Sequence, residues 1–231
     1  MKTKFFVGTS GWAYSWNKGG SLDWYVSDSG LNAVELNASF YRFPFPNQIA
    51  GWSRKGRGLS WSIKVNKSIT HMYKFSDDAV QMLRRFIAAF KVMDKLIDNY
   101  LFQLPPSMKV DNLDRIISFI EESRPKLNAV LEPRDVSWFN EEVYSTLRGA
   151  GLALCSIDSP IGSFIVKTTD RVYLRLHGRK TWYRYNYSRG ELSEIIDRVL
   201  ESKPREAFIF FNNDENMLKN AVETLKIIGE L

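Results

Sequence analysis

Short apolar runs alternate with segments of helical period along most of this chain. Eight runs rich in Val, Ile, Phe and Tyr, bounded by turn residues, predict strands: Lys4–Val7, Ala33–Asn37, Ser60–Val65, Tyr100–Leu104, Ala129–Glu132, Leu152–Ile157, Val172–His177 and Ala207–Asn212. Helical patterns lie between most of them. Ser76 is placed to cap a helix whose apolar positions are Ala79, Leu83, Phe86, Phe90 and Met93. Asp111–Glu122 gathers Leu113, Ile116, Ile117 and Ile120 on one face, and Ser188 with Glu191 forms a capping box before Leu192, Ile195, Ile196 and Val199. Met217–Ile228 closes the chain as an amphipathic helix. The segment SPIGSFIVKTTD, between the sixth and seventh runs, is too rich in Ser, Thr and β-branched residues for a good helix, so a missing or degenerate helix is expected there.

Strands alternating with helices imply parallel pairing through right-handed crossovers. About eight such units in 231 residues predict an α/β protein, a TIM (β/α)8 barrel formed as a single domain over residues 1–231. A doubly wound open sheet is the rival, because periodicity does not show closure. Polar residues at nearly every strand end favour the barrel, whose βα loops gather at one face.

Strand parity turns those polar residues into a group. Glu35 and Asn37 share a face, Lys64 sits near the end of the third run, and Gln103 lies in LFQLPPS. Glu132 and Arg134 share a face in LEPRD, Asp158 closes CSID, Arg175 and His177 share a face in RLHG, and Asn212 and Asn213 end FIFFNN. A charge pointing into a barrel costs several kcal/mol unless paired, so opposite charges from different strands are expected to meet. A salt-bridge network that only fixes the barrel is the plain alternative. The gathering of polar residues at one end of the strands favours a pocket.

Of the two histidines, His177 is the stronger candidate for proton transfer, with Glu132 as a base tuned by Arg134 or Lys64. For His71, in the loop after the third run, an ordinary hydrogen-bonded structural role is expected. Glu35, Glu132, Asp158 and His177 are suitable metal ligands by type. The nearby Lys64, Arg134 and Arg175 oppose a cation, so a divalent metal is disfavoured and no cofactor is required by the sequence. GTSGW, Gly8 to Trp12, reads as an anion nest or as a tight turn. Trp12, Tyr14, Trp16, Phe40, Tyr41, Trp138, Trp182, Tyr183 and Tyr185 fall in the loops expected on the pocket side. Most of these aromatics are expected to pack loops together. Those that remain free can stack on a base or sugar, with Arg42, Arg179 and Arg184 interleaved. Cys155, on the opposite parity from Asp158, is expected to face the helices.

Composition narrows the classes. A single cysteine excludes an intramolecular disulfide and a cysteine zinc cluster, fitting a reducing cytoplasm. No apolar run approaches the roughly 20 residues of a membrane helix, so a soluble protein without a membrane partner is expected. The net charge of +6 favours anionic partners, or merely solubility.

The ordered motifs GTSGW, VELNASFYRFP, Thr70-His71, FQLPPS, LEPRDVSW, RLHGR with WYRYNYS, and FFNND resemble the YecE-like family, domain of unknown function 72, along nearly the whole chain. The resemblance implies a TIM barrel with a polar pocket at its C-terminal face, and this chain looks like the shorter form. Its motif residues map to Glu35, Asn37, Tyr41, His71, Gln103, Glu132, Arg134, Trp138, Arg175, His177, Tyr185 and Asn212. The family carries no activity to import. The leading expectation is therefore an enzyme with hydrolase-type acid–base chemistry on an anionic, phosphate-bearing substrate, which includes single-stranded nucleic acid. Lys64, Arg134 and Arg175 would hold the anion, His177 and Glu132 would move protons, and loop aromatics such as Trp182 and Tyr185 would stack. The alternatives are a non-catalytic nucleic-acid-binding barrel and a glycoside hydrolase using Glu35 and Glu132.

Overall fold

A computed structural model describes residues 2–124 and 126–231. Nine strands form one sheet: β1 (Lys4–Ser10), β2 (Ala33–Leu36), β3 (Ser60–Lys64), β4 (Ile97–Gln103), β5 (Ala129–Glu132), β6 (Ala153–Ser159), β7 (Gly162–Phe164), β8 (Arg171–Leu176) and β9 (Glu206–Phe211). Eight of them, all but β7, pair in parallel around a ring. β1 joins β9, and β5 joins β6 through Val130↔Ala153 and Leu131↔Leu154. That last pairing closes the sheet and decides for the barrel over the open sheet. The helices are α1 (Leu22–Asp28), α2 (Ala38–Tyr41), α3 (Pro46–Lys55), α4 (Asp77–Ala89), α5 (Leu113–Ser123), α6 (Glu141–Ala150), α7 (Arg189–Glu201) and α8 (Met217–Gly229).

The expected runs recur with shifted ends. β1 continues through Gly8 to Ser10, and β4 begins at Ile97. Phe90 and Met93 lie beyond α4, where a 3-10 turn follows, and Ser76 caps α4 by position without a side-chain hydrogen bond. The capping box of α7 is present, with the Ser188 amide donating to Glu191 Oε2 at 2.8 Å.

The crossover between β6 and β8 lacks a helix, as its composition implies. β7 instead folds back antiparallel on β6, with Ile157 opposite Phe164. Hydroxyls of β6 and of this segment tie the returning chain to the sheet. Ser156 Oγ accepts from the Val166 amide at 2.9 Å, and Thr168 Oγ1 accepts from the Leu154 amide at 2.9 Å. Buried backbone groups of β6 and the returning chain are thereby satisfied. Phe164 stacks on Phe139 with ring centroids 4.1 Å apart.

Alternate strand residues divide two cores. Val34, Ile63, Phe102, Leu131, Leu174 and Ile209 face the helices. Ala33, Leu101, Val130, Cys155, Ile157, Tyr173, Phe208 and Phe210 fill the barrel interior. Cys155 thus points inward rather than toward the helices. This parity also sends Ser10, Glu35, Lys64, Glu132 and Arg175 inward at the C-terminal end of the barrel. Gly8 lies tight against the β2 backbone: a Cβ there would lie 2.2 Å from the Ala33 carbonyl oxygen. Backbone cannot yield as a side-chain tip would, so Gly8→Ala is expected to destabilise the barrel by about 1–3 kcal/mol or more. The urea midpoint measures this, and an unchanged midpoint would exclude the contact. Among the described residues, no helix is long and apolar enough to cross a membrane.

Candidate active site at the C-terminal mouth of the barrel

Arg175, the inward residue near the end of β8, is completely buried and joins two completely buried carboxylates. Its Nη1 donates to both oxygens of Glu132, at 2.8 and 2.7 Å, and its Nη2 donates to Glu35 Oε1 at 2.7 Å. Ser10 Oγ sits between, donating to Glu35 Oε1 at 2.5 Å and accepting from Arg175 Nη2 at 3.0 Å. The Tyr173 hydroxyl donates to Glu35 Oε2 at 2.7 Å, so Ser62, 2.6 Å away, is the donor to Tyr173. Glu132 Oε1 also meets Arg134 Nη2 at 3.0 Å and His177 Nε2 at 2.8 Å. Strands β1, β2, β3, β5 and β8 are tied together in one polar layer. Burial opposes ionisation of Glu132, but the Arg134 and Arg175 guanidiniums and the His177 hydrogen bond outweigh it and hold the carboxyl well below its usual range.

His177 occupies the end of this layer. Burial and the nearby Arg134 charge push its imidazole down to about 3, against the opposing pull of Glu132. The ring is therefore neutral at pH 7. Nε2–H donates to Glu132, and Nδ1 accepts from Asn212 Nδ2 at 3.3 Å. With both nitrogens engaged and no surface exposed, His177 orients Glu132. The proton-transfer role expected from its position in the sequence finds no free nitrogen here. As pH falls below about 6.5 the unfolded chain takes up this proton first, so the stabilising effect of a neutral His177 is lost between about 6.5 and 3. Relative to His177→Gln, the wild type is expected to lose roughly 1.4 kcal/mol per pH unit across that window. Urea titrations at two pH values measure this, and a pH-independent difference would contradict it.

Above the layer, the mouth is cationic. Lys64 is only 4% exposed, donates to Asn37 Oδ1 at 2.9 Å, and places its ammonium 4.3 Å from the centre of the Phe40 ring. Among the described residues no carboxylate forms an ion pair with it. Burial lowers it to about 7, aided by Arg175 and Arg134 and only partly offset by Glu132 and Glu35. His71 lies on a π-helical turn, Ser68–Met72, and packs edge-on against the same Phe40 ring. Its Nδ1 is 2.8 Å from Thr70 Oγ1, and burial with the Lys64 charge lowers its pKa. Arg134 reaches Gln103 Oε1 at 3.3 Å and stacks 4.7 Å over Trp182, whose ring also covers His177. Among the described residues, the Nε atoms of Arg134 and Arg175 have no hydrogen-bond partner. Tyr41, at the rim, is 65% exposed. Tyr14 closes the β1 side, its hydroxyl 3.2 Å from the Ser10 carbonyl oxygen. Burial and the Asp214 charge raise its pKa.

Three expected site residues lie elsewhere. Asp158 has the outward parity of β6, opposite to Cys155 and Ile157. Its carboxylate accepts from Tyr187 at 2.8 Å and Arg179 at 3.1 Å, locking the loop after β8 onto α7 through Glu194. Trp138 is wholly buried, with Nε1 donating to the Met108 carbonyl at 2.9 Å, so it cannot stack on a ligand. Tyr185 donates to Glu191 at 2.5 Å and belongs to the start of α7. GTSGW forms the tight turn: Thr9 Oγ1 donates to the Gly11 carbonyl at 2.7 Å, and the Gly11 amide donates back to the Thr9 carbonyl at 3.0 Å. Most of the loop aromatics pack on one another, as Trp12 does against Trp52 and Trp61. Conversely, Ser10, Ser62 and Tyr173 belong to the network, and the signal for them was parity: Tyr173 precedes Arg175 by two residues. Among the described residues, no group of three or more His, Cys, Asp or Glu side chains is placed to hold a metal ion.

The likeness to known structures follows the same outline. A protein of the DUF72 family from Thermotoga maritima is 28% identical, with a TM-score of 0.84 over 98% of this chain and 99% of its own. A DUF72 family protein from Enterococcus faecalis reaches the same TM-score at 18% identity, over 97% and 95% of the two chains. A xylose isomerase domain containing protein from Salmonella typhimurium shares the fold alone, with a TM-score of 0.59 at 13% identity over 100% and 96%. Among curated proteins none matches the chain. The family model described as "Protein of unknown function DUF72" matches residues 6–229, and the chain belongs to that family.

Proposed function

We propose that the mouth is the acid–base site of an enzyme acting on a small anionic, phosphate-bearing substrate. The observation that carries this reading is that the floor charges are ion-paired with one another, whereas the buried Lys64 at the mouth has no carboxylate partner among the described residues. In the floor, Glu35 and Glu132 are paired with Arg175, and Glu132 also holds His177. At the mouth, Lys64 has one hydrogen bond, to Asn37, and Arg134 keeps an unpartnered Nε. Buried cations without a full set of acceptors favour an incoming anion. Gln103 and His71 add neutral polar contacts beside them. Lys64, poised near neutrality, takes the proton-moving role that the sequence suggested for His177. Glu132 holds Arg134 in place, and Trp182 backs the guanidinium.

The glycosidase reading loses support from the same geometry. Glu35 and Glu132 both act as acceptors toward Arg175 and present no proton donor to the mouth, whereas such an enzyme needs a general acid. Non-catalytic binding of single-stranded nucleic acid has one observation in its favour. Tyr41 is exposed at the rim with the Lys67 ammonium 5.7 Å from its ring centre, a stacking surface beside a charge.

Calorimetric titration with inorganic phosphate and nucleoside monophosphates tests the proposal. Arg134→Gln is expected to weaken binding at least tenfold, about 1.4 kcal/mol. Equal affinities for wild type and variant would overturn the assignment. Salt-sensitive oligonucleotide binding that survives Arg134→Gln but fails in Tyr41→Ala would favour the rim instead.

A further inference from the structure

We infer that Lys64 is a nucleophile that forms an imine with an aldehyde or ketone whose anionic group is held by Arg134. The inference rests on the anionic-substrate reading above and adds a reactive carbonyl to it. Three geometric facts support it. The amine is buried without an ion-pair partner, so no carboxylate holds it as an ammonium. Among the described residues its hydrogen bond runs to the neutral Asn37 amide oxygen at 2.9 Å and its other close contact is the Phe40 ring, so no second oxygen or nitrogen acceptor holds it. It also stands on β3, beside Gln103 at the end of β4 and Arg134 just past β5, so three neighbouring strands present an amine, an amide and a guanidinium side by side. A molecule carrying a carbonyl at one end and a phosphate or carboxylate at the other matches that row. Burial that lowers Lys64 to about 7 supplies the neutral amine that attack requires.

In the reaction the neutral Nζ adds to the carbonyl carbon, and the C=O electron pair moves to oxygen. The proton shed by nitrogen passes to that oxygen, giving a neutral carbinolamine. A second proton on the hydroxyl releases water and leaves the protonated imine, so no oxidant or reductant is consumed. His71, which packs against the same Phe40 ring and feels the Lys64 charge, is the nearby titratable group able to carry protons. The groups facing Lys64 are Asn37 and Glu35 from the β2 end, Glu132 and Arg134 from the β5 end, Arg175 from β8, and His71. The cations among them resist protonation of the free amine. Glu35 and Glu132 partly offset those cations and favour the positive imine as they favour the ammonium.

The test uses pyridoxal 5′-phosphate, an aldehyde bearing a phosphate, followed by borohydride reduction and peptide mass mapping of the intact protein. One adduct per chain on Lys64, suppressed by inorganic phosphate, is expected. Lys64→Met should lose that adduct while retaining its circular dichroism spectrum. Arg134→Gln should slow labelling by pyridoxal phosphate at least tenfold and leave labelling by phosphate-free pyridoxal unchanged. Calorimetric phosphate binding without an adduct on Lys64 would overturn the imine and spare the anion site. An adduct on Lys64 insensitive to phosphate and to Arg134→Gln would spare the nucleophile and overturn the anion site. Labelling spread evenly over surface lysines would overturn the inference.

Discussion

Arg175→Met is expected to destabilise the fold by about 3–5 kcal/mol, because it leaves two buried carboxylates without the charge that joins them. Glu35 and Glu132 have no exposed surface, and three of their shortest contacts end on this one guanidinium. Methionine fills much of the volume, so the loss is electrostatic rather than a cavity. A lower urea midpoint with an unchanged slope would identify it. The sign with pH follows from Glu132, whose folded pKa lies well below 4.5. Its contribution is present above the unfolded value and is lost as pH falls through the folded one. Without Arg175 the carboxyl protonates more readily, so the deficit of the variant is expected to shrink below about pH 4.5. Adding Glu35→Gln and Glu132→Gln should restore part of the loss, since a fully neutral layer needs no counter-charge. A deficit that these changes deepen would show that the triad acts through shape.

Lys64→Met is expected to act in the opposite direction and raise stability by about 2–4 kcal/mol at pH 7. The amine moves from an ordinary 10.5 to about 7 on folding. Between those values the unfolded chain binds a proton that the folded chain does not, so wild-type stability rises with pH from about 7 to 10.5. The full shift corresponds to roughly 5 kcal/mol, from which the lost hydrogen bond to Asn37 subtracts about 1 kcal/mol. The advantage of the variant should therefore fade as pH rises toward 10.5. A site that stabilises the fold when deleted is one retained for chemistry. If Lys64→Met instead destabilised the protein, the residue would be a structural partner of the floor.

Much of the fold was legible because each element carries its own period. The degenerate crossover was readable in SPIGSFIVKTTD, where hydroxyls outnumber helix formers. Closure was not, because the β5–β6 pairing joins residues whose own patterns say nothing of each other. The candidate site was legible as a set through parity: Glu35, Lys64, Glu132 and Arg175 all point inward. Parity is relative, however, and a strand alone does not say which face is inside. Cys155 and Asp158 were correctly placed on opposite faces and assigned to the wrong ones, since an apolar cysteine suits the barrel interior as well as the helix layer. His177 shows the other limit. Its position at the strand end was readable, but its role depends on Asn212, Glu132 and a Trp182 lid brought together from three loops and strands.

The charge state of Lys64 decides most directly whether the mouth is built for reaction. An NMR pH titration of its side chain, with the signal assigned by its loss in Lys64→Met, measures it in the intact protein. A midpoint near 7 is expected, moving upward when phosphate binds. A midpoint near the ordinary lysine value of 10.5 would contradict the proposal, leaving Lys64 as a permanent cation and the mouth as a binding surface alone.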